Sequence, residues 1–194
     1  VKDTRSISFT LGEDETSLLL TKVNNAFRTE INDILLTMLG MGIRKTFALD
    51  RVLIALEGHG REDILENIDI SRTVGWFTGL FPVVLDLSYT DDTGRQLKEN
   101  KETLRKIPYK GIGYGILRYL SGVENKKAIE FKLEPQISFN YLGQFDEELN
   151  RLSFCEIADE PVGNAQSLTG PREFDIDVSA IITDNRLSVS VFYN

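Results

Sequence analysis

Apolar and polar residues alternate from Ser6 to Leu11, a period-two pattern that predicts a β-strand. Gly12-Glu13-Asp14-Glu15 then opens a predicted helix reaching about Phe27, its acids suited to the positive end of the helix dipole. Thr29 is the expected N-cap of a second helix, with Ile31, Ile34, Leu35, Met38 and Leu39 as its apolar stripe. Val52 to Leu56 reads as the next strand, and it runs into Glu57-Gly58-His59-Gly60-Arg61-Glu62, where two glycines break the apolar run. Val74 to Leu87 is almost wholly apolar and reads as extended chain crossing the core, with Pro82 marking an edge or a bulge.

Gly94 to Lys106 predicts a charged, exposed helix ended by Pro108, and Gly111-Ile112-Gly113-Tyr114-Gly115 leads into a short helix from Ile116 to Leu120. Gln136 to Leu142 is strand-like again. Phe174 to Thr183 and Arg186 to Tyr193 both alternate, and Asp184-Asn185 joins them as a hairpin turn. Residues 156–173 are polar, contain Pro and Gly, and read as a long surface loop. Strands and helices are intermixed without a strict βαβ rhythm. That order predicts a mixed α/β (α+β) fold in which helices pack on a mixed sheet.

Composition narrows the function classes. At 194 residues the chain can bury one substantial core or two small ones. A net charge of −8 and a pI near 4.8 argue against nucleic acid or an anionic membrane surface as partner. No apolar run approaches the ~20 residues that span a bilayer. The polar start Val1-Lys2-Asp3-Thr4-Arg5 does not read as a signal peptide, and the lone Cys155 fits a reducing compartment, so a cytoplasmic protein is expected. One histidine and one cysteine argue against a zinc site of the usual ligands, and no cofactor is expected.

The candidate chemistry sits where the glycines break the strand at residue 57. A tight turn after a buried strand can hold Glu57 in a cleft as a general acid or base, provided burial raises its pKa more than Arg61 lowers it. On spacing alone, a solvated turn acid paired with Arg61 is the better account. His59 is a second base or, more simply, a hydrogen-bonded strut for the loop. The Gly111–Gly115 run lacks the lysine and hydroxyl of a phosphate loop and reads as close backbone packing or the passage of a narrow ligand arm. In the strand Phe139-Asn140-Tyr141-Leu142-Gly143, alternation sends Asn140 and Tyr141 to opposite faces. Asn140 needs a partner if buried, and structure and substrate serve equally well as the reason. Trp76, the only tryptophan, reads as core packing.

Taken in order, these segments carry a resemblance that none carries alone. Glu57-Gly-His-Gly-Arg61-Glu, Arg72-Thr-Val-Gly-Trp-Phe-Thr, Pro108-x-x-Gly-x-Gly-Tyr-Gly115 and Phe139-Asn-Tyr-Leu-Gly-Gln144 resemble the successive motifs of nonribosomal peptide synthetase epimerization domains. Thr29-Glu-Ile-Asn-Asp-Ile-Leu-Leu36 is similar to the helix preceding them in that family. The resemblance implies a chloramphenicol acetyltransferase-like fold of two lobes around a tunnel, with residues 1–194 forming the C-terminal lobe. It implies inversion of the α-carbon of an aminoacyl or peptidyl thioester carried on the 4'-phosphopantetheine of a carrier domain, with a downstream condensation domain as a further partner. Glu57 matches the family's catalytic glutamate, and Arg61, Asn140 and Tyr141 match positions associated with the active site. His59, Trp76, Gly113 and Tyr114 are then expected along the substrate channel. The family's other catalytic group, a histidine in a His-His-x-x-x-Asp motif on the N-terminal lobe, has no counterpart in this sequence. The chain therefore reads as a lobe cut from its partner lobe and, alone, without full activity. A condensation domain or a non-catalytic carrier-docking module is the alternative.

Overall fold

A computed structural model describes residues 3–64, 66–88, 92–122, 130–145, 163 and 170–194. Six strands among them form one mixed sheet in the order β1-β6-β5-β4-β2-β3. They are β1 (Arg5–Thr10), β2 (Arg51–Gly58), β3 (Gly79–Asp86), β4 (Ile137–Gln144), β5 (Ile176–Thr183) and β6 (Arg186–Tyr193). The centre of the sheet is parallel, β2 beside β4 and β4 beside β5, while the flanking pairs β2–β3, β5–β6 and β6–β1 are antiparallel. The predicted fold class is the observed one. Pro82 lies in β3, an edge strand, where a missing N–H leaves no central ladder bond unmade.

One face of the sheet carries the core. Val52, Ile54 and Leu56 of β2, Phe81, Val83 and Leu85 of β3, Phe139 of β4 and Val178, Ala180 and Ile182 of β5 are buried at alternate positions. Helix α3 (Ile31–Phe47) adds Leu36 and Ile43 to that core. On the opposite face hydroxyls meet across the β1–β6 pair, Ser8 with Ser190 at 2.8 Å and Thr10 with Ser188 at 2.9 Å. Ahead of α3, α1 (Glu13–Leu18) continues through a π-helical stretch, Leu19–Val23, into α2 (Asn24–Phe27). Helix α4 (Thr93–Arg105) caps that end: Lys101 and Arg105 donate to the carbonyls of Phe27 and Arg28. A 3₁₀ turn, Pro108–Gly111, then leads into α5 (Ile112–Gly115) and a π-helical turn, Ile116–Leu120.

Four expectations change. The N-cap of α3 is Glu30, one residue after Thr29, whose hydroxyl donates to Asn24 instead. The buried face of α3 is also rotated from its apolar stripe: Asp33 and Thr37 are inside, and Met38 is 42% exposed. The reason is a buried polar chain in which Gln96 donates to Asn100, Asn100 to Thr37, and Thr37 to the Asp33 carbonyl. Helix α4, expected to be a charged, exposed helix, buries Gln96, Leu97 and Asn100. Third, residues 74–78 do not cross the core, for Val74 is 99% and Trp76 89% exposed, and the strand begins only at Gly79. Finally, β2 runs through Glu57 and Gly58, so Glu57 belongs to a strand and not to a turn. Apart from 163 and 170–173, the loop expected at 156–173 lies outside the described residues, as does Cys155.

Candidate active site at the strand ends

Leu56 of β2 pairs with Phe139 of the parallel β4. The next residues along, Glu57 and Asn140, therefore stand side by side, and the Asn140 side chain hydrogen-bonds the Glu57 carboxylate. Burial pushes the Glu57 carboxyl above the ordinary range, while the bond from Asn140 pulls the other way and only in part offsets it. No contribution from Arg61 is involved. A cavity of about 580 Å³ opens at these strand ends, walled by Glu57, Asn140 and Tyr141 among others. Such a crevice, at the carboxyl ends of parallel strands, is where open α/β sheets hold ligands. Asn140 and Tyr141 share it although alternation separates them, because the wall includes residues of both sheet faces, Leu56 and Phe81 as well as Glu57 and Asn140. Burial also raises the Tyr141 phenol, which stays a neutral O–H donor.

The other motif residues organise the segment after β2. His59 accepts the Arg61 N–H at Nδ1 (3.0 Å) and reaches the Glu62 carboxylate through Nε2 (2.9 Å). That pattern assigns the neutral ring with its proton on Nε2, the arrangement of a strut, though His59 also lines the cavity. Arg61 turns away from Glu57. Its guanidinium donates to the carbonyls of Ile70 (2.8 Å) and Thr73 (2.9 Å), reaches that of Gly75 at 3.5 Å, and lies 4.2 Å from the Phe77 ring centre. Gly60 permits this fold-back with φ +66°, where an added Cβ would sit 1.7 Å from the Phe77 carbonyl oxygen. Arg61, Trp76, Gly113 and Tyr114 are not on the cavity wall. Tyr114 packs edge-on against Phe131 and accepts from Arg118 at 3.1 Å.

A further part of the wall comes from the start of α3 and the end of α4. It brings Glu30, Asn32, Asp33 and Arg105 to the cavity, with Lys110 beyond them. Tyr109, Lys110 and Gly111 hold φ of +46°, +48° and +85° in succession. Two non-glycine residues in that region mark stored strain beside the site. No group of three His, Cys, Asp or Glu side chains among the described residues is placed to hold a metal.

This geometry can be set beside known proteins. The Condensation domain family model matches residues 1–194, the whole chain. The chain belongs to the condensation-domain family. It is similar to surfactin synthase subunit 1 of Bacillus subtilis, 46% identical over 194 residues, all of this chain but 5% of that protein. Among solved structures it is similar to the epimerization domain from the third module of tyrocidine synthetase B, with 44% identity, a TM-score of 0.92, and coverage of 100% of this chain and 42% of that one. The first condensation domain of the CDA synthetase shares only 15% identity at a TM-score of 0.59, over 98% of this chain and 39% of that one, and so shows the fold alone. This condensation-domain chain thus spans a small part of its curated relative and under half of the solved epimerization domain.

Sequence reasoning missed Asn32, Asp33 and Lys110 as wall residues. The signal for Asp33 was a carboxylate one helical turn from Thr37 along a face otherwise apolar, which marks a buried polar residue rather than a solvated one. No local pattern points to Lys110, which the left-handed turn delivers to the cavity.

Proposed function

We propose that this chain is the C-terminal lobe of an epimerization domain. That domain inverts the α-carbon of an aminoacyl or peptidyl thioester carried on the 4'-phosphopantetheine arm of a carrier domain. The observation that carries the reading is Glu57: a partly buried carboxyl of raised pKa, held by Asn140 on the wall of a cavity large enough for a thioester group. The close likeness to a solved epimerization domain supports it, against the distant likeness to a condensation domain.

The chemistry follows from the groups present. An α-proton beside a thioester is acidic because its electron pair is delocalised onto the carbonyl oxygen as an enolate. Inversion needs one group to take the proton from one face and another to return a proton to the opposite face. Glu57 is one of these groups, and its raised pKa brings it nearer the value at which transfer in both directions is efficient. The second group is a histidine on the N-terminal lobe, which this chain does not contain, so the lobe alone is expected to be inactive. Asn140 keeps the carboxylate aimed, and the Tyr141 O–H is the donor for the developing enolate oxygen. Arg61 acts at one remove. It pins the loop whose end brings Thr78 to the cavity wall. The upstream carrier and a downstream condensation domain are the expected partners.

The test uses the intact synthetase module with its carrier loaded with an α-deuterated L-aminoacyl thioester. Loss of deuterium to solvent and appearance of the D-product are expected. Peptide-bond formation without α-exchange would sink the epimerase reading, and carrier binding with neither reaction would leave a docking module.

A further inference from the structure

Two glycines from separate motifs close on one aromatic ring. Gly111, at φ +85°, lies against the Phe81 ring so closely that an added Cβ would sit 2.3–2.5 Å from three ring atoms. Any side chain there would displace the ring. Gly58 meets the same ring, where an added Cβ would be 3.3 Å from Cε1. Phe81 is also the cross-strand partner of Leu56. The ring is therefore fixed against the two residues that flank Glu57 in β2.

Phe81 and Leu56 belong to the core, yet both line the cavity and each keeps 7% of its surface accessible. Leu104 and Ile107 line it too, and they pack against the cluster that holds Leu56 and Phe81. The four form one apolar body on the cavity wall. Glu57 leaves β2 on the other face from Leu56, so the cavity wraps the strand end, with the carboxylate on one face and the apolar residues on the other. The cations of the wall, Arg105 and Lys110, are exposed to solvent.

We propose that Leu56, Phe81, Leu104 and Ile107 receive the side chain of the residue being inverted, so that the domain acts on apolar residues and Phe81 helps to set that specificity. The inference rests on the epimerase reading. An α-carbon presented to Glu57 carries a side chain that must lie within the cavity, whose volume of about 580 Å³ falls among sites that enclose a whole small ligand. Against these four residues an aliphatic or aromatic side chain gains by leaving water, whereas an amide or a charge gives up its hydration without a partner. The arrangement also suits inversion. In the enolate the α-carbon is planar and its side chain lies in that plane. A hold on the side chain fixes the plane while a proton leaves one face and another arrives at the opposite face.

The test loads the carrier of the intact module, from synthetic thioesters, with α-deuterated L-leucyl, L-alanyl or L-asparaginyl groups. Leucine and asparagine have nearly the same shape, so that pair separates polarity from size. The readout is the rate of α-deuterium loss, and the leucyl group is expected to exchange about tenfold or more faster than either of the others. Phe81→Leu and Ile107→Ala should each shrink the leucyl-to-alanyl ratio by about threefold or more. A merely structural role would slow both substrates alike and leave that ratio in place, whatever happens to Tm. Alanyl or asparaginyl exchange as fast as leucyl, or a ratio that neither variant moves, would overturn the proposal. Absence of α-exchange in the unmodified protein on every substrate would instead overturn the epimerase reading beneath it.

Discussion

Strands β5 and β6 and the segment from His59 to Thr78 are comparable in length, yet backbone pairing holds the first and largely one guanidinium the second. In the hairpin every residue from Ile176 to Thr183 has a ladder partner, and Asp184 and Asn185 take the φ of +50° and +57° that a tight hairpin turn requires. Val178, Ala180, Ile182, Leu187 and Val189 then bury one face. Among its described residues the segment after β2 has no strand or helix of its own. Its shape rests on Arg61 reaching three carbonyls and on the neutral His59 tying its start to Glu62. It presents Val74 and Trp76 to solvent. Order in the hairpin is distributed and belongs to the fold. Order in the loop is concentrated, and it serves the cavity that Glu57, His59, Glu62 and Thr78 line.

That contrast can be broken by substitution. Ile182→Ala, at a fully buried site, is expected to cost about 2–5 kcal/mol in urea unfolding, with the whole domain melting earlier. Gly60→Ala should come next, at about 1–3 kcal/mol, because its new methyl must displace the Phe77 carbonyl. Amide exchange should then rise first within residues 59–78. Arg61→Lys keeps the charge but cannot bridge the carbonyls of Ile70, Thr73 and Gly75, so about 1 kcal/mol or less of global stability is at stake. Proteolysis should nevertheless find the loop. If Arg61→Lys instead lowered global stability as much as Ile182→Ala, the loop would be part of the core and the contrast would be false.

A smaller effect concerns pH. Burial raises both Glu57 and Asp33 above the ordinary carboxylate range, so each binds its proton more tightly folded than unfolded. Stability contributed by these groups is therefore lost as pH rises from the ordinary range through the raised values. Asp69 and Asp86 are lowered by hydrogen bonds from Ser71 and Ser88, and they act in the opposite sense at more acid pH. Urea titrations from pH 4.5 to neutrality should show the decline, and Glu57→Gln should flatten part of it. A decline unchanged in that variant would mean that Glu57 is as solvated as a turn acid.

The hairpin was legible because its information is local: alternation, a turn pair, nothing else needed. The edge position of β3 was legible for the same reason, through Pro82. What escaped was set by distant partners. Val74 and Trp76 look like core by hydropathy, and only the hold of Arg61 on the backbone around them shows why they face outward. Thr37 and Asp33 look like surface until Asn100, from a helix far along the chain, is placed beside them. At the site, the motifs pointed to Glu57 and Asn140, but the adjacency of β2 and β4 that joins them is a property of sheet order. Arg61 was expected beside Glu57 and lies on the loop instead, for an arginine's rigid fork suits several carbonyls better than one carboxylate already held by Asn140.

The central claim is that Glu57 moves the α-proton. The most direct measurement is single-turnover loss of α-deuterium from a carrier-bound L-aminoacyl thioester in the intact module, before and after Glu57→Gln. Removal of an acid–base group is expected to slow the loss by about 100- to 10,000-fold while Tm stays the same or rises. Deuterium loss within about threefold of the unmodified rate would contradict the account and return Glu57 to a purely structural role at the end of β2.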